Sequence, residues 1–364
     1  MFHTLDTFDT EFSADSVEWC PSNFFKNIFV CGTYQLMKDN ETTLDTSKST
    51  RLGRIYMFKI IDNGCLALLQ RLEVAAVLDM KWAHMCENRI LLGVVNSLGY
   101  LQIYQLKRNN EKETLELLTE KKVANDNDVL ALSLDWCTGR WMYNNESNLN
   151  IVVSDSKGFI SLFELHETEL VNVNTWLAHE YEAWITAFDY WDTNVIYSGG
   201  DDCKFQRFDK RTGNRPTAMN RIHGAGVTSL HSNVLREFSL SSGSYDETLR
   251  LWDTRNFKRP VSEIHLGGGI WRLKWDPFAR NYLLAACMYV GFRIVDCEKT
   301  ETLSVIGEYN EHESIAYGCD WSVLNSPEIT KNILKTETRN VCLISTCSFY
   351  DHALKLSAVY LSVE

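Results

Sequence analysis

The chain has 364 residues, 45% apolar, 12% aromatic and 23% charged, which excludes a disordered chain and allows a large packed core. A formal net charge of −12 argues against general nucleic-acid binding, which needs a basic surface to displace counterions. The opening MFHTLDTFDTEF has neither the basic nor the apolar region of a signal peptide, no apolar run approaches the ~18 residues of a membrane span, and the 11 cysteines contain no C-x-x-C pair, so a soluble cytoplasmic protein with reduced thiols is expected.

A short apolar segment, usually closed by an aromatic, returns along the chain. In order these are DSVEW ending at Trp19, LDMKW at Trp82, LSLDW at Trp136, TAFDY at Tyr190, TSLHS at Ser232, WRLKW at Trp275 and YGCDW at Trp321. The spacings are 63, 54, 54, 42, 43 and 46 residues, near the ~40–45 of a four-stranded propeller blade. Between these anchors, stretches such as IVVSDSKGFISLFEL and EFSLSSGSYDETLRLWDT read as a strand, a tight polar turn and a second strand. Polar insertions near 36–50 and 106–127, and at Thr330–Arg339, would absorb the surplus length as loops. Residues 113–123, ETLELLTEKKV, are the one stretch that reads as a short helix.

GSYDETLRLWD (243–253) closely resembles a WD repeat, which implies an all-β fold, a seven-bladed WD-repeat β-propeller in one domain spanning 1–364. The same resemblance implies a hydrogen-bonded tetrad of Asp246, His223, Ser242 and Trp252, with Asp202 and His179, and Asp351 and His312, in matching places. Lys157, Leu98 and Tyr289 fill the Asp position in degenerate blades. The last unit supplies three strands, and the segment Phe2–Phe12 would add the outer one and close the ring.

SADSVEWCP (13–21), GGGIWRLKWDPF (267–278), LLAACMYVGFRI (283–294), YGCDWS (317–322) and TCSFYDHALKL (346–356) are similar to a narrower group, the WD-repeat diphthine methyl ester hydrolases of diphthamide biosynthesis. That resemblance implies hydrolysis of the carboxyl methyl ester of methylated diphthine on translation elongation factor 2, giving diphthine and methanol. The partner is thus the protein substrate, and neither a cofactor nor a metal is expected.

Ester hydrolysis needs an activated nucleophile and donors where the carbonyl oxygen turns negative. No G-x-S-x-G or H-E-x-x-H motif is present, so the fold must assemble the site. His352, one residue past the tetrad Asp351, would face the central opening as a base, with Glu247 or Asp202 orienting it or holding the substrate cation. The trimethylammonium group calls for an aromatic cage, for which Tyr245, Trp271, Tyr317, Phe349 and Tyr350 are candidates, with Arg272 beside them. Gly268 and Gly269 could offer oxyanion amides or simply form a tight turn. Asp202 fits the structural tetrad better than it fits catalysis. Cys287, Cys319 and Cys347 read as buried strand-end thiols, and Ser244 and Ser348 have no activating pattern. A non-catalytic adaptor that binds elongation factor 2 or a pathway enzyme is the alternative from another class.

Overall fold

An inner strand that packs between two neighbouring blades must bury both of its faces, and the recurrent apolar segments do this. The computed structural model describes residues 1–37, 51–84, 89–110, 112–140, 149–278, 281–335 and 340–361. Among them, 28 strands form seven four-stranded antiparallel sheets around a central axis. Six blades run in chain order from inner to outer strand. The seventh consists of Ala316–Trp321, Val341–Ser348 and Ala353–Tyr360, and Phe2–Asp9 completes it, with Phe2 opposite Val359 and Asp9 opposite Ala353. The expected closure by the N-terminal strand is therefore present.

The inner strands are Ser13–Trp19, Val77–Trp82, Ala131–Trp136, Ile185–Phe188, Val227–Ser232, Arg272–Trp275 and Ala316–Trp321. Five carry a one-residue bulge near their start, between Ala14 and Ser16, Val77 and Asp79, Ala131 and Ser133, Val227 and Ser229, and Ala316 and Cys319. A bulge shifts the two-residue alternation by one position. As a result Ala14, Val17 and Trp19 share one packed face, as do Val77, Met80 and Trp82, and Ala131, Leu134 and Trp136. The indole N–H groups of Trp82, Trp136, Trp275 and Trp321 donate to the carbonyl oxygens of Glu18, Lys81, His231 and Lys274, each in the preceding blade, at 2.9–3.1 Å. These residues fill the seams between blades and also tie them together.

The WD tetrad is complete in the fifth blade. Trp252 donates to Ser242 at 2.8 Å, Ser242 meets His223 Nε2 at 2.9 Å, and His223 Nδ1 meets Asp246 at 3.2 Å. The fourth blade keeps His179 between Asp202 and Ser198, both at 2.8 Å, and has Phe208 in place of the tryptophan. In the seventh, Ser348 stands between Asp351 and His312, and His312 Nε2 reaches Thr346 at 2.8 Å. Two degenerate blades replace the missing Asp with the last residue of the second strand. Asn96 accepts from the Leu98 and Tyr100 amides, and Asp155 from those of Lys157 and Phe159.

The stretch expected to be helical at 113–123 is instead the outer strand Lys112–Lys122, paired along its length with Tyr100–Asn109. The expected loop at 106–127 is thus mostly a hairpin. Glu113 is buried there between Lys59 and Arg108, at 3.0 and 2.9 Å, and such a buried acidic residue breaks the alternation by which a strand is recognised. The expected loop from Thr330 begins as helix. Asn325 and Glu328 form a capping box at Ser326–Glu328, and a helical turn continues over Ile329–Leu334, burying Ile329 and Ile333 against the first blade. The insertion at 36–50 and the end of that at 330–339 lie largely outside the described residues.

Candidate functional site

The two mouths of the central channel differ in chemistry. Where the inner strands end, Glu18, Lys81, Asp135, His231, Lys274 and Asp320 line a charged pocket, each one position before the residue that closes its repeat. Lys274 pairs with Glu18 and lies 3.9 Å from Asp320, and Lys81 lies 3.5 Å from Asp135. Burial pushes the Glu18 carboxyl up in spite of Lys274, with Asp320 and Asp79 adding to the effect. Farther up the channel, Arg272 of the sixth blade reaches Asp79 of the second at 3.1 Å, so this buried ion pair crosses the axis.

Where the inner strands begin, the mouth is aromatic. Trp184, which leads into the fourth blade, lies edge-on to Trp271 at 5.9 Å and to Tyr245 at 6.2 Å. The belt continues through Tyr317, 4.6 Å from Trp271, to Phe349, 4.9 Å from Tyr317, and ends on Tyr350 and Tyr34 at 5.0 and 6.0 Å from Phe349. Carboxylates accompany it. Asp201 accepts the Trp184 indole N–H at 2.9 Å, and Asp15 is a buried acid at the bulge of the first inner strand. Burial pushes the phenols of Tyr245 and Tyr317 well up; Asp201 and Asp15 add to the rise at Tyr245, and Asp15 to that at Tyr317. The Asp15 carboxyl is itself raised by burial, an effect opposed by Arg272 and reinforced by Asp79. An electron-rich belt over carboxylates suits a bulky cation that sheds its water on entry.

No family model matches the chain. A mouse protein named diphthine methyltransferase is 41% identical over 333 residues, covering 88% of this chain and 69% of the mouse one. A human protein of the same name is 39% identical, covering 88% and 75%. A Dictyostelium discoideum protein named diphthine methyltransferase homolog is 37% identical, covering 95% and 96%. The chain belongs to the diphthine methyltransferase family. A chain in the solved mitotic checkpoint complex covers 99% of this one with a TM-score of 0.67 at 17% identity and shares the propeller fold.

In this member of the diphthine methyltransferase family, the expected cage residues Tyr245, Trp271, Tyr317, Phe349 and Tyr350 do come together. Arg272 stands below them, buried and held by Asp79. Gly268 and Gly269 lie next to Tyr245 and the turn at Cys287 and Met288; a side chain on Gly268 would collide with the Cys287 carbonyl, so close packing already accounts for that glycine. The amides of Ile270 and Trp271 are taken by Ser244 and Ala286, at 3.0 and 2.8 Å.

The three expected acid–base residues stand apart from the belt. Asp202 is saturated by His179, Lys204 at 3.0 Å and the Glu180 amide, and these partners outweigh burial and hold its carboxyl well below the usual range. Glu247 and His352 occupy the left-handed residue of equivalent turns, with φ of 66° and 54°. That residue lies over the outer strand: Glu247 pairs with His265 at 3.0 Å and its carbonyl accepts from Leu266, while the His352 carbonyl accepts from Thr10 at 2.9 Å. The expectation that His352 faces the central opening is corrected by this placement.

Burial pushes Cys287 up to about 12 and raises Cys319 and Cys347, so these thiols stay protonated at neutral pH. Ser348, His312 and Asp351 contain the residue types of a hydrolase triad in the wrong order, since the serine stands between the other two. Residue-by-residue reading passed over Trp184, Tyr34, Asp201 and Asp15. A usable signal existed for Trp184, which immediately precedes its inner strand just as Trp271 does.

Proposed function

We propose that this protein is a carboxyl methyl esterase of diphthamide biosynthesis that hydrolyses the methyl ester of methylated diphthine on translation elongation factor 2 and releases methanol. The observation that carries the reading is the belt of Trp184, Tyr245, Trp271, Tyr317 and Phe349 over Asp15 and Asp201, which fits the trimethylammonium group of that substrate. Kinship with proteins named for diphthine supports the pathway. Exposed Leu98, Tyr181, Tyr289 and Tyr350 stand on the turns and connections around the same mouth and fit a protein-borne substrate, which would meet the enzyme in the cytosol.

In this reading the belt holds the cation and Asp201 fixes Trp184 in place. The ester carbonyl then lies deeper, where a water attacks it and the developing negative charge meets the Arg272 side of the channel or the Gly268 and Gly269 amides. The relatives' name favours a second reading, methyl transfer onto diphthine. The non-catalytic adaptor predicts binding alone.

Intact-mass measurement of elongation factor 2 carrying methylated diphthine, incubated with the purified protein, separates the three. Esterase action removes about 14 Da, one CH2, as ester becomes acid. Methyl transfer onto an unesterified sample, supplied with a sulfonium methyl donor, adds the same mass. A complex without mass change leaves the adaptor.

A further inference from the structure

We infer that Asp15 is the general base of this hydrolysis, its free carboxylate oxygen holding the attacking water beneath the aromatic belt. This rests on the esterase reading above. Asp15 is 2% exposed, and its Oδ1 makes no hydrogen bond among the described residues. The other channel carboxylates are occupied. Asp79 takes Arg272 and the Met80 and Leu134 amides. Asp135 takes Lys81, the Phe188 amide and the Tyr190 hydroxyl. Asp320 takes the Trp19 and Trp321 amides. An unpaired acceptor at that depth is costly, and structures retain one mainly where a water or a reaction uses the atom.

Its position agrees. Asp15 is the extra residue of the first blade's bulge, and Tyr317 lies in the matching bulge of the seventh. The two strands touch there: a side chain built on Gly318, next to Tyr317, would come within 2.9 Å of the Asp15 carbonyl. The belt residues Tyr245 and Tyr317 feel the Asp15 charge, and Arg272 and Asp79 are the charged groups that face it from the sixth and second blades. Entry of the substrate's cation adds a second positive charge beside Arg272 and favours the ionised carboxylate.

The step balances without a co-reactant. Asp15 takes a proton from water as the water oxygen bonds to the ester carbon, and the carbonyl electron pair moves onto its oxygen. When that pair returns, the C–OCH3 bond breaks and the Asp15 proton passes to the leaving oxygen. Methanol and a carboxylic acid result, and Asp15 is restored as the carboxylate.

The test compares wild type with Asp15→Asn and Asp15→Glu on elongation factor 2 carrying methylated diphthine, following methanol release from pH 5 to 9 with thermal melts as a fold control. The Asn variant should bind the factor and lose about 10²- to 10⁴-fold in kcat. Wild type should show an acidic limb above the ordinary carboxylate range, displaced in the Glu variant. An Asn variant within tenfold of wild type overturns the assignment, as does a wild-type rate flat from pH 5 to 8, which decides the matter even if the Asn variant fails to fold. Wild type that releases no methanol at all overturns the esterase reading first, so the two failures are distinct.

Discussion

Replacing His312 by Gln should remove a pH dependence from the stability of the propeller. Burial holds the His312 ring neutral, taking its pKa from 6.5 to about 4, with the Asp351 charge opposing the shift and Lys355 assisting it. The network supports the neutral form: Ser348 donates to Asp351 and so accepts from Nδ1–H, leaving Nε2 to accept from Thr346. Between pH 6.5 and 4 the unfolded chain therefore binds a proton that the folded chain refuses. The contribution is complete above the unfolded value and is lost as the pH falls through that window. A shift of this size is worth about 3 kcal/mol. Raised carboxyls such as Asp15, Glu18 and Asp135 titrate in the opposite sense, so the wild-type slope alone is uninformative. They are common to both proteins and cancel in the difference. Urea unfolding at pH 7, 6, 5 and 4.5 should show the gap between wild type and variant narrowing by about 2 kcal/mol. Parallel profiles, constant to about 0.5 kcal/mol, would refute the neutral buried imidazole.

Arg272→Met should destabilise the fold by about 3–5 kcal/mol in urea unfolding, because it strands the fully buried Asp79 without its cation. Adding Asp79→Asn should recover part of that loss, since the single Asn oxygen still accepts from one of the Met80 and Leu134 amides, which bond different Asp79 oxygens; an additive double variant would show that the pair does not interact across the channel. Trp184→Leu should weaken tetramethylammonium binding by about 2- to 30-fold in calorimetry, the range expected from losing one cation–π face. Unchanged affinity would mean that the belt is packing rather than a cation site.

What could be read along the chain was what repeats. Seven strand-ending anchors recur because each inner strand faces the same problem of filling two seams, and the tetrad of the fifth blade is readable because Ser242, Asp246 and Trp252 stand at fixed offsets in one hairpin, with His223 in the connection ahead of the blade. Outer strands are solvated on one face and satisfy no such pattern, which is why Lys112–Lys122, with Glu113 turned inward, resembled a helix. The candidate site divides along the same line. The belt aromatics could be found in the turns and strand entries, where neighbouring blades converge by construction. The direction of a side chain could not. His352 stands beside a tetrad aspartate, yet its left-handed turn puts it over Thr10 and the outer strand. Asp15 is the converse. Counting back by twos from Trp19 puts it on the packed face with Val17, but the bulge after Ala14 hands that face to Ala14 and leaves the carboxylate for the channel, on the side of Glu18. One extra residue in a seven-residue strand decides whether an acid is buried in a seam or placed beneath the aromatic belt, and no two-residue periodicity records it.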